Sequence, residues 1–405
     1  MARMRFIMDR WGALEMTNSN KPSILYISHE RKMGGANISL FDLAIEMKRR
    51  GHRVCVVVLF RGCPIDVRLR EAGIDTYPCF FGWWMQPENW NVVLKLAFRF
   101  LHWTQCLSVI RLSNYVKKNR YDIIHSNSSV IDIGAQLAKK TGCSHVWHFR
   151  EFGEQHYHFE YMMGREGAIQ FINNNSDQNI FISRALERVF LDIKNRIVIY
   201  NGIRDSVFCN GRIDRDNHDD MGFLISGNLS DAKNQMLVLE AVKKIKETGI
   251  SYKYRIYIAG EATALKESKE YERKLRRYVT ENKITNAEFL GYVENMKELR
   301  NSKVDVEIVA SRSEAYGRVA IEAMASGNLV LASNTGSNPE LIGNNKNGML
   351  FMDNDSHDLA EKMMWCMDNP DKMRDIEERA YHYAYVNHRM MNNIQLVEDV
   401  YRSLC

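Results

Sequence analysis

Only six prolines stand in 405 residues, and no stretch is of low complexity. Long disordered linkers are therefore not expected. Cysteine is present but unpatterned: the eight residues form no C-x-x-C pair and no His/Cys cluster at zinc spacing. This fits reduced thiols in a cytoplasmic protein better than a disulfide framework. No apolar run reaches the length of a membrane span. The first twenty residues do not read as a cleavable signal, because Asp9 and Arg10 interrupt their apolar part. The G-x-G-x-x-G fingerprint of dinucleotide folds is missing. No nucleic-acid reader motif is recognised, so nucleic acid is not an expected partner. No Asp-x-Asp pair is read at a strand end, and no metal site is expected.

What is present is an ordinary globular mix, 45% hydrophobic and 26% charged. The length points to two or more domains. The net charge of +5 is uneven. Residues 1–203 hold 27 basic and 18 acidic side chains, whereas the remainder holds 28 and 32. A basic amino-terminal half suits phosphates or an anionic surface.

Apolar runs alternate with helical patterns along the chain. Ile24–Ser28, Val54–Phe60, Asp122–His125, His145–His148, Asn179–Ile182 and Ile197–Tyr200 read as strands of one parallel sheet. Gly222–Ser226, Tyr254–Ala259, Ala287–Leu290, Val304–Val309 and Asn328–Ala332 read as strands of a second. The predicted organisation is a leader at 1–22, a first Rossmann-like domain at 23–203 and a polar linker at 204–221. A second Rossmann-like domain follows at 222–371, with a helical tail at 372–405. Residues 80–120 mix aromatics with Lys95, Arg99, Arg111, Lys117, Lys118 and Arg120. Val92, Leu96, Phe100, Leu107 and Ile110 recur at helical spacing there. Two readings stand: a helix packed on the sheet with a solvated basic face, or a basic amphipathic surface on anionic lipid.

The most informative stretch is Ala310–Gly327. A strand ends at Ala310, a polar loop follows, and a helix begins near Gly317. The N–H groups of Tyr316, Gly317 and Arg318 would be free at that helix start, a seat for phosphate. Glu314 lies in the loop and Glu322 in the helix.

The order Ser311-x-x-Glu314-x-Tyr316-Gly317-x4-Glu322-Ala-Met-Ala-x-Gly327 resembles the Glu-x7-Glu signature of the retaining glycosyltransferases of GT-B fold (family 4, group 1). The resemblance runs from Ile24 nearly to the end. It implies an α/β fold of two Rossmann-like domains whose parallel sheets face a central cleft. It also implies transfer from a UDP- or GDP-linked sugar to a saccharide or lipid-linked acceptor in glycan synthesis. No cofactor is implied beyond that donor, and peripheral contact with a membrane's cytoplasmic face would suit a lipid-linked acceptor. By resemblance Glu322 binds ribose hydroxyls and Glu314 donor-sugar hydroxyls. Gly227-Asn228 … Lys233 resembles the diphosphate cradle, with Asn228 where arginine is commonest. Leu290-Gly291-Tyr292-Val293 resembles the base-binding stretch, Gly34-Gly35 the glycine loop, and His148 in HFREF the acceptor-side histidine. Gly336–Leu341 resembles a Gly-Gly-x-x-Glu turn, or is only a helix start at Pro339. A nucleotide-sugar epimerase on the same fold and a non-catalytic sugar-binding relative remain as alternatives.

Overall fold

The computed structural model describes residues 21–154, 159–209 and 220–405. The expected leader lies outside them but for Lys21 and Pro22. The expected 204–221 linker lies outside them except at 204–209 and 220–221. The first half forms β1 (Ile24–Ile27), β2 (Val54–Val58), β3 (Asp75–Pro78), β4 (Met85–Pro87), β5 (Ile123–Ser126), β6 (Ser144–Phe149), β7 (Phe159–Tyr161), β8 (Gln178–Phe181) and β9 (Arg196–Val198). Seven of these make a parallel sheet in the order β3-β2-β1-β5-β6-β8-β9, while β4 and β7 pair apart as an antiparallel ribbon. The second half forms β10 (Met221–Ser226), β11 (Tyr254–Ala259), β12 (Ala287–Gly291), β13 (Val306–Val309), β14 (Leu329–Ser333) and β15 (Met349–Phe351). They make a parallel sheet in the order β12-β11-β10-β13-β14-β15.

The central strands β1, β2 and β5 are buried along their whole length. That is why β1 and β2 read as unbroken apolar runs rather than alternating ones, as strands covered by helices on both faces do. Strand order reverses beside β1 in one sheet and beside β10 in the other. In such sheets ligands bind beyond the strand carboxyl ends at the reversal. Among the described residues no cysteine forms a disulfide.

The two chain crossings between the domains are bonded to each other. Ile203 and Arg389 form a parallel bridge, with Ile203 N–H donating to His388 O at 2.8 Å and Met390 N–H to Ile203 O at 2.9 Å. Gly202 permits this approach: a Cβ there would lie 2.3 Å from the Met390 Cα. Helix Pro370–Asn387 packs on the second domain, and helix Met390–Ser403 returns to the first. Glu340 ties the domains again. It stands in helix Asn338–Leu341 and accepts from the Arg184 N–H at 3.0 Å, at the start of helix Arg184–Val189 in the first domain.

The returning helix is fastened by Glu398. Its carboxylate is almost fully buried and bonds to Arg50, Arg402 at 2.6 Å and His52 Nε2 at 3.1 Å. Burial opposes ionisation, but the two guanidinium groups and His52 outweigh it and hold the carboxyl at about 2. A depressed carboxyl stabilises the fold above its unfolded value and loses that contribution as pH falls toward the folded one. The contribution is about 3 kcal/mol at neutral pH. Wild type should therefore lose urea resistance steeply between about pH 4.5 and 2. Glu398→Gln should be weaker at neutral pH and flatter across that window; parallel curves would show that Glu398 is not the group responsible.

Residues 80–120 divide into a helix that packs and one that does not. Helix Cys106–Asn119 buries Val109, Leu112 and Val116, as a helix packed on the domain with a solvated basic face would. Helix Val92–Trp103 has no buried residue, and Val92, Phe100 and Trp103 are 71%, 67% and 69% exposed. Lys95 turns inward to Glu160 at 2.7 Å, and His102 to Asp132 at 3.2 Å. The exposed surface of this helix is therefore mainly apolar, with Arg99 as its exposed cation. Periodicity alone shows a stripe without saying which side meets the protein.

Candidate active site

At the reversal of the second sheet, β10 and β13 part and leave a crevice lined by Ser226, Lys233, Ser311 and Val319. Loop 311–317 leaves β13 here and enters helix Arg318–Ala325. Gly317 caps the helix in the left-handed region at φ 77°, a turn that favours glycine. Gly336, also left-handed, lies directly under the loop, where a Cβ would meet Glu314 O at 2.4 Å. The Ser337 N–H then donates to that oxygen at 2.8 Å. The Gly336–Leu341 turn thus supports Glu314 from behind and sends Glu340 across to the first domain.

Lys233 and Glu314 meet in the crevice at 2.9 Å, with Ser311 Oγ 3.4 Å from the ammonium. Burial would raise the Glu314 carboxyl, but the Lys233 charge and hydrogen bond, the Gly317 N–H and Ser311 outweigh it and keep it below the usual range. Glu322 accepts from Arg318 Nε at 2.8 Å and from Arg300 Nη1 at 3.1 Å. Arg300 is buried and also holds Glu307, on β13, at 2.7 Å. Glu307 in turn accepts from Ser226 Oγ at 2.6 Å. An ionic chain therefore runs from the sheet interior to Glu322. Tyr316 is otherwise engaged: its ring is buried, and its hydroxyl bonds Asn201 O and approaches His388 Nδ1 at 3.2 Å. Its side chain pins the helix start to the interdomain crossings, which leaves only its backbone N–H for a ligand.

Gly227 lies beneath the Lys233 stem, and Asn228 beside it is exposed. Tyr292, just past β12, is 74% exposed. One expectation needs correction: an Asp-x-Asp pair, Asp353 and Asp355, does follow a strand, β15. Asp355 is spent on a helix start, accepting from the His357 N–H at 2.8 Å and the Asp358 N–H at 3.1 Å. Among the described residues no group of three or more His, Cys, Asp or Glu could hold a metal.

The first domain supplies the facing wall. Gly34 caps helix Gly35–Arg49, and a Cβ on it would meet the Glu30 carboxylate at 2.6 Å; Gly35 faces open space. Burial and then the Glu151 charge push the Glu30 carboxyl up to about 7. Glu151 accepts from Ser128 Oγ, Ser129 N–H and Ser129 Oγ at 2.6–2.8 Å. His148 lies inside β6, almost wholly buried, in a crevice shared with Ser39, Asp42, Arg150 and Asn201.

The family model of glycosyl transferases group 1 matches residues 212–383, and that of glycosyltransferase family 4 matches residues 33–207. The chain belongs to these glycosyltransferases. An uncharacterized glycosyltransferase of Methanocaldococcus jannaschii is 25% identical over 278 residues, 67% of this chain and 72% of that protein. Among solved structures, HepE of Anabaena in complex with UDP superposes with a TM-score of 0.78 at 21% identity, covering 94% of this chain and 100% of that one. A glycosyltransferase of Rickettsia africae gives a TM-score of 0.78 at 19% identity, covering 95% and 99%. At these identities the likeness establishes the fold, which is GT-B.

For a glycosyltransferase of this fold, several site groups were not singled out from sequence. Arg300 and Glu307 form the support of Glu322, and Arg150, Glu151 and Glu30 shape the wall opposite. Glu307 carried a usable signal, since a carboxylate inside an apolar strand demands a buried cation.

Proposed function

We propose that this glycosyltransferase moves a sugar, with retention of configuration, from a UDP- or GDP-linked donor to a saccharide or lipid-linked acceptor in cell-surface glycan synthesis. The observation that carries the reading is the Lys233–Glu314 pair beside the start of helix Arg318–Ala325, at the carboxyl end of β13. A cation next to a helix N-terminus suits a leaving diphosphate, whose charge grows as the sugar bond breaks. Glu314 would then turn to donor-sugar hydroxyls, and Glu322 to the ribose. Gly34 and Gly35 let the first-domain loop approach the donor, with Asn228 and the backbone at 316–318 along the phosphates and Tyr292 near the base. HepE, of the same fold, has been solved with UDP-glucose, which supports a nucleotide-sugar donor. The test is incubation with a panel of radiolabelled UDP- and GDP-sugars and saccharide acceptors, with the product anomer read by NMR. Transfer with retained configuration is expected. Epimerised sugar without transfer, or binding without turnover, would support the two alternatives instead.

Lys233, Arg318 and backbone N–H groups can together offset the diphosphate charge without a divalent ion. Activity should therefore survive EDTA, and strict dependence on added manganese or magnesium would contradict this.

The acceptor wall adjoins an apolar surface. Residues 89–121 contain no Asp or Glu, while Arg99 in helix Val92–Trp103 and Arg111, Lys117, Lys118 and Arg120 in and after helix Cys106–Asn119 are exposed. Among the described residues no helix is long and apolar enough to cross a membrane. We propose that this face lies on anionic lipid, its aromatics in the headgroup boundary and its cations on the headgroups. Flotation with anionic vesicles should succeed, weaken with salt, and fall sharply in Leu96→Asp/Phe100→Asp. Equal partitioning to neutral and anionic vesicles would contradict the electrostatic share, and no flotation the whole surface.

A further inference from the structure

His148 ends a buried polar chain that begins in the carboxyl-terminal tail. Its Nδ1 lies 3.3 Å from Arg150 Nη2 and 3.3 Å from His125 Nε2. His125 Nδ1 lies 2.8 Å from the Tyr401 hydroxyl, which stands 3.2 Å from that of Tyr26. All five side chains are buried. Arg150 is fixed by Asn127 Oδ1 and Asn201 Oδ1, each at 2.7 Å.

The protons in this chain can be assigned from donor inventory alone. A guanidinium only donates, so His148 Nδ1 must present its lone pair to Arg150. A neutral imidazole with a bare Nδ1 carries its proton on Nε2. His125 Nε2 then donates to the same lone pair, and His125 Nδ1 accepts from Tyr401 O–H, whose one proton is shared between this 2.8 Å contact and the longer 3.2 Å one to the Tyr26 oxygen. The opposite direction would set a His148 Nδ1–H against an Arg150 N–H. In the allowed direction every ring nitrogen is satisfied except His148 Nε2, which is buried with no partner. Asp42 Oδ2 and Asn393 Oδ1, of two further residues lining the crevice, are also buried acceptors without partners. An unmet donor and unmet acceptors in one crevice complement hydroxyls, which do both.

We propose that Arg150 and the tail residue Tyr401 are positioning residues that lock His148 as its Nε2–H tautomer, so that His148 donates a hydrogen bond to an oxygen of the bound sugar and does not act as a base. This rests on reading the cleft as a sugar site. Burial, then the Arg150 charge, hold both histidines neutral, well below the usual imidazole value. The fold thereby makes the tail, which starts in the other domain, a determinant of the acceptor-side wall.

The test begins with the full chain without substrate, labelled with 15N-histidine, in a two-bond 1H–15N correlation spectrum. His148 is expected as the Nε2–H tautomer. Arg150→Gln should mix the tautomers of His148, and Tyr401→Phe those of His125, a signature that loose packing alone would not produce. In the transfer assay His148→Gln, whose amide nitrogen reaches the Nε2 position, should exceed His148→Asn about tenfold. An Nδ1–H His148 in wild type overturns the lock, and equal rates for the two variants overturn the donation. A correct tautomer in a protein that transfers no sugar would instead overturn the proposed function and leave the lock standing.

Discussion

Lys233→Ala is expected to lower kcat/KM about a hundredfold, the scale of losing one preorganised donor to a charge that develops in the transition state. Asn228, where a second cation would be commonest, can donate only a neutral hydrogen bond, and a charge-assisted one is about twice as strong. Lys233 is therefore the main side-chain cation of its loop. Its bond should tighten as the sugar–phosphate bond breaks, so much of the loss should fall on kcat. Asn228→Arg should restore part of it. The Lys233–Glu314 contact at 2.9 Å adds a second consequence. With the ammonium gone, the Glu314 carboxyl rises, because burial is no longer opposed by Lys233. The acid limb of the rate profile should move to higher pH in Lys233→Ala. Residues this close should not behave independently: Lys233→Ala/Glu314→Gln should lose less than the two single effects combined. Steady-state rates across pH on the four proteins check this, and strictly additive losses would mean that the pair does not work as a unit.

Arg300→Met is expected to destabilise the second domain by about 3–5 kcal/mol. Arg300 is buried between Glu307 and Glu322, and its removal leaves Glu307 in the sheet without its cation. Breaking one side of a buried pair costs far more than replacing both sides. The melting transition should fall by roughly 10 °C. Arg300→Met/Glu307→Met should recover most of that, although nucleotide affinity should stay low because Glu322 has lost one of its two guanidinium contacts. Calorimetric melting of the single and double variants decides the matter. A single variant that melts with wild type would remove Arg300 from the account of Glu322.

What could be read from sequence was local. The strands at Ile24, Val54 and Gly222 announce themselves because both faces are buried. Glu314, Gly317 and Glu322 are legible together because one strand–loop–helix step holds them. Arg300 is not, since its partners lie seven and twenty-two residues away and meet only through the β13 packing. Glu340 looks like part of a helix start and in fact caps a helix in the other domain. The backbone N–H of Tyr316 is legible as part of the helix start, whereas the bond of its hydroxyl to Asn201 O at the crossings is not. The Val92–Trp103 helix shows the opposite failure: its period is plain in sequence, but the outward face is set by Lys95 and His102, which find Glu160 and Asp132. His148 is visible as a residue, whereas its proton position follows only from Arg150.

The most direct measurement is calorimetric titration of wild type and Lys233→Ala with nucleoside diphosphate and with free nucleoside, using whichever of the UDP and GDP pairs raises the melting temperature. If the diphosphate lies beside Lys233 at the start of helix Arg318–Ala325, the variant should bind the diphosphate about ten- to a hundredfold more weakly and the nucleoside almost unchanged. An equal loss for both ligands would make Lys233 a structural residue and move the phosphate site elsewhere in the cleft.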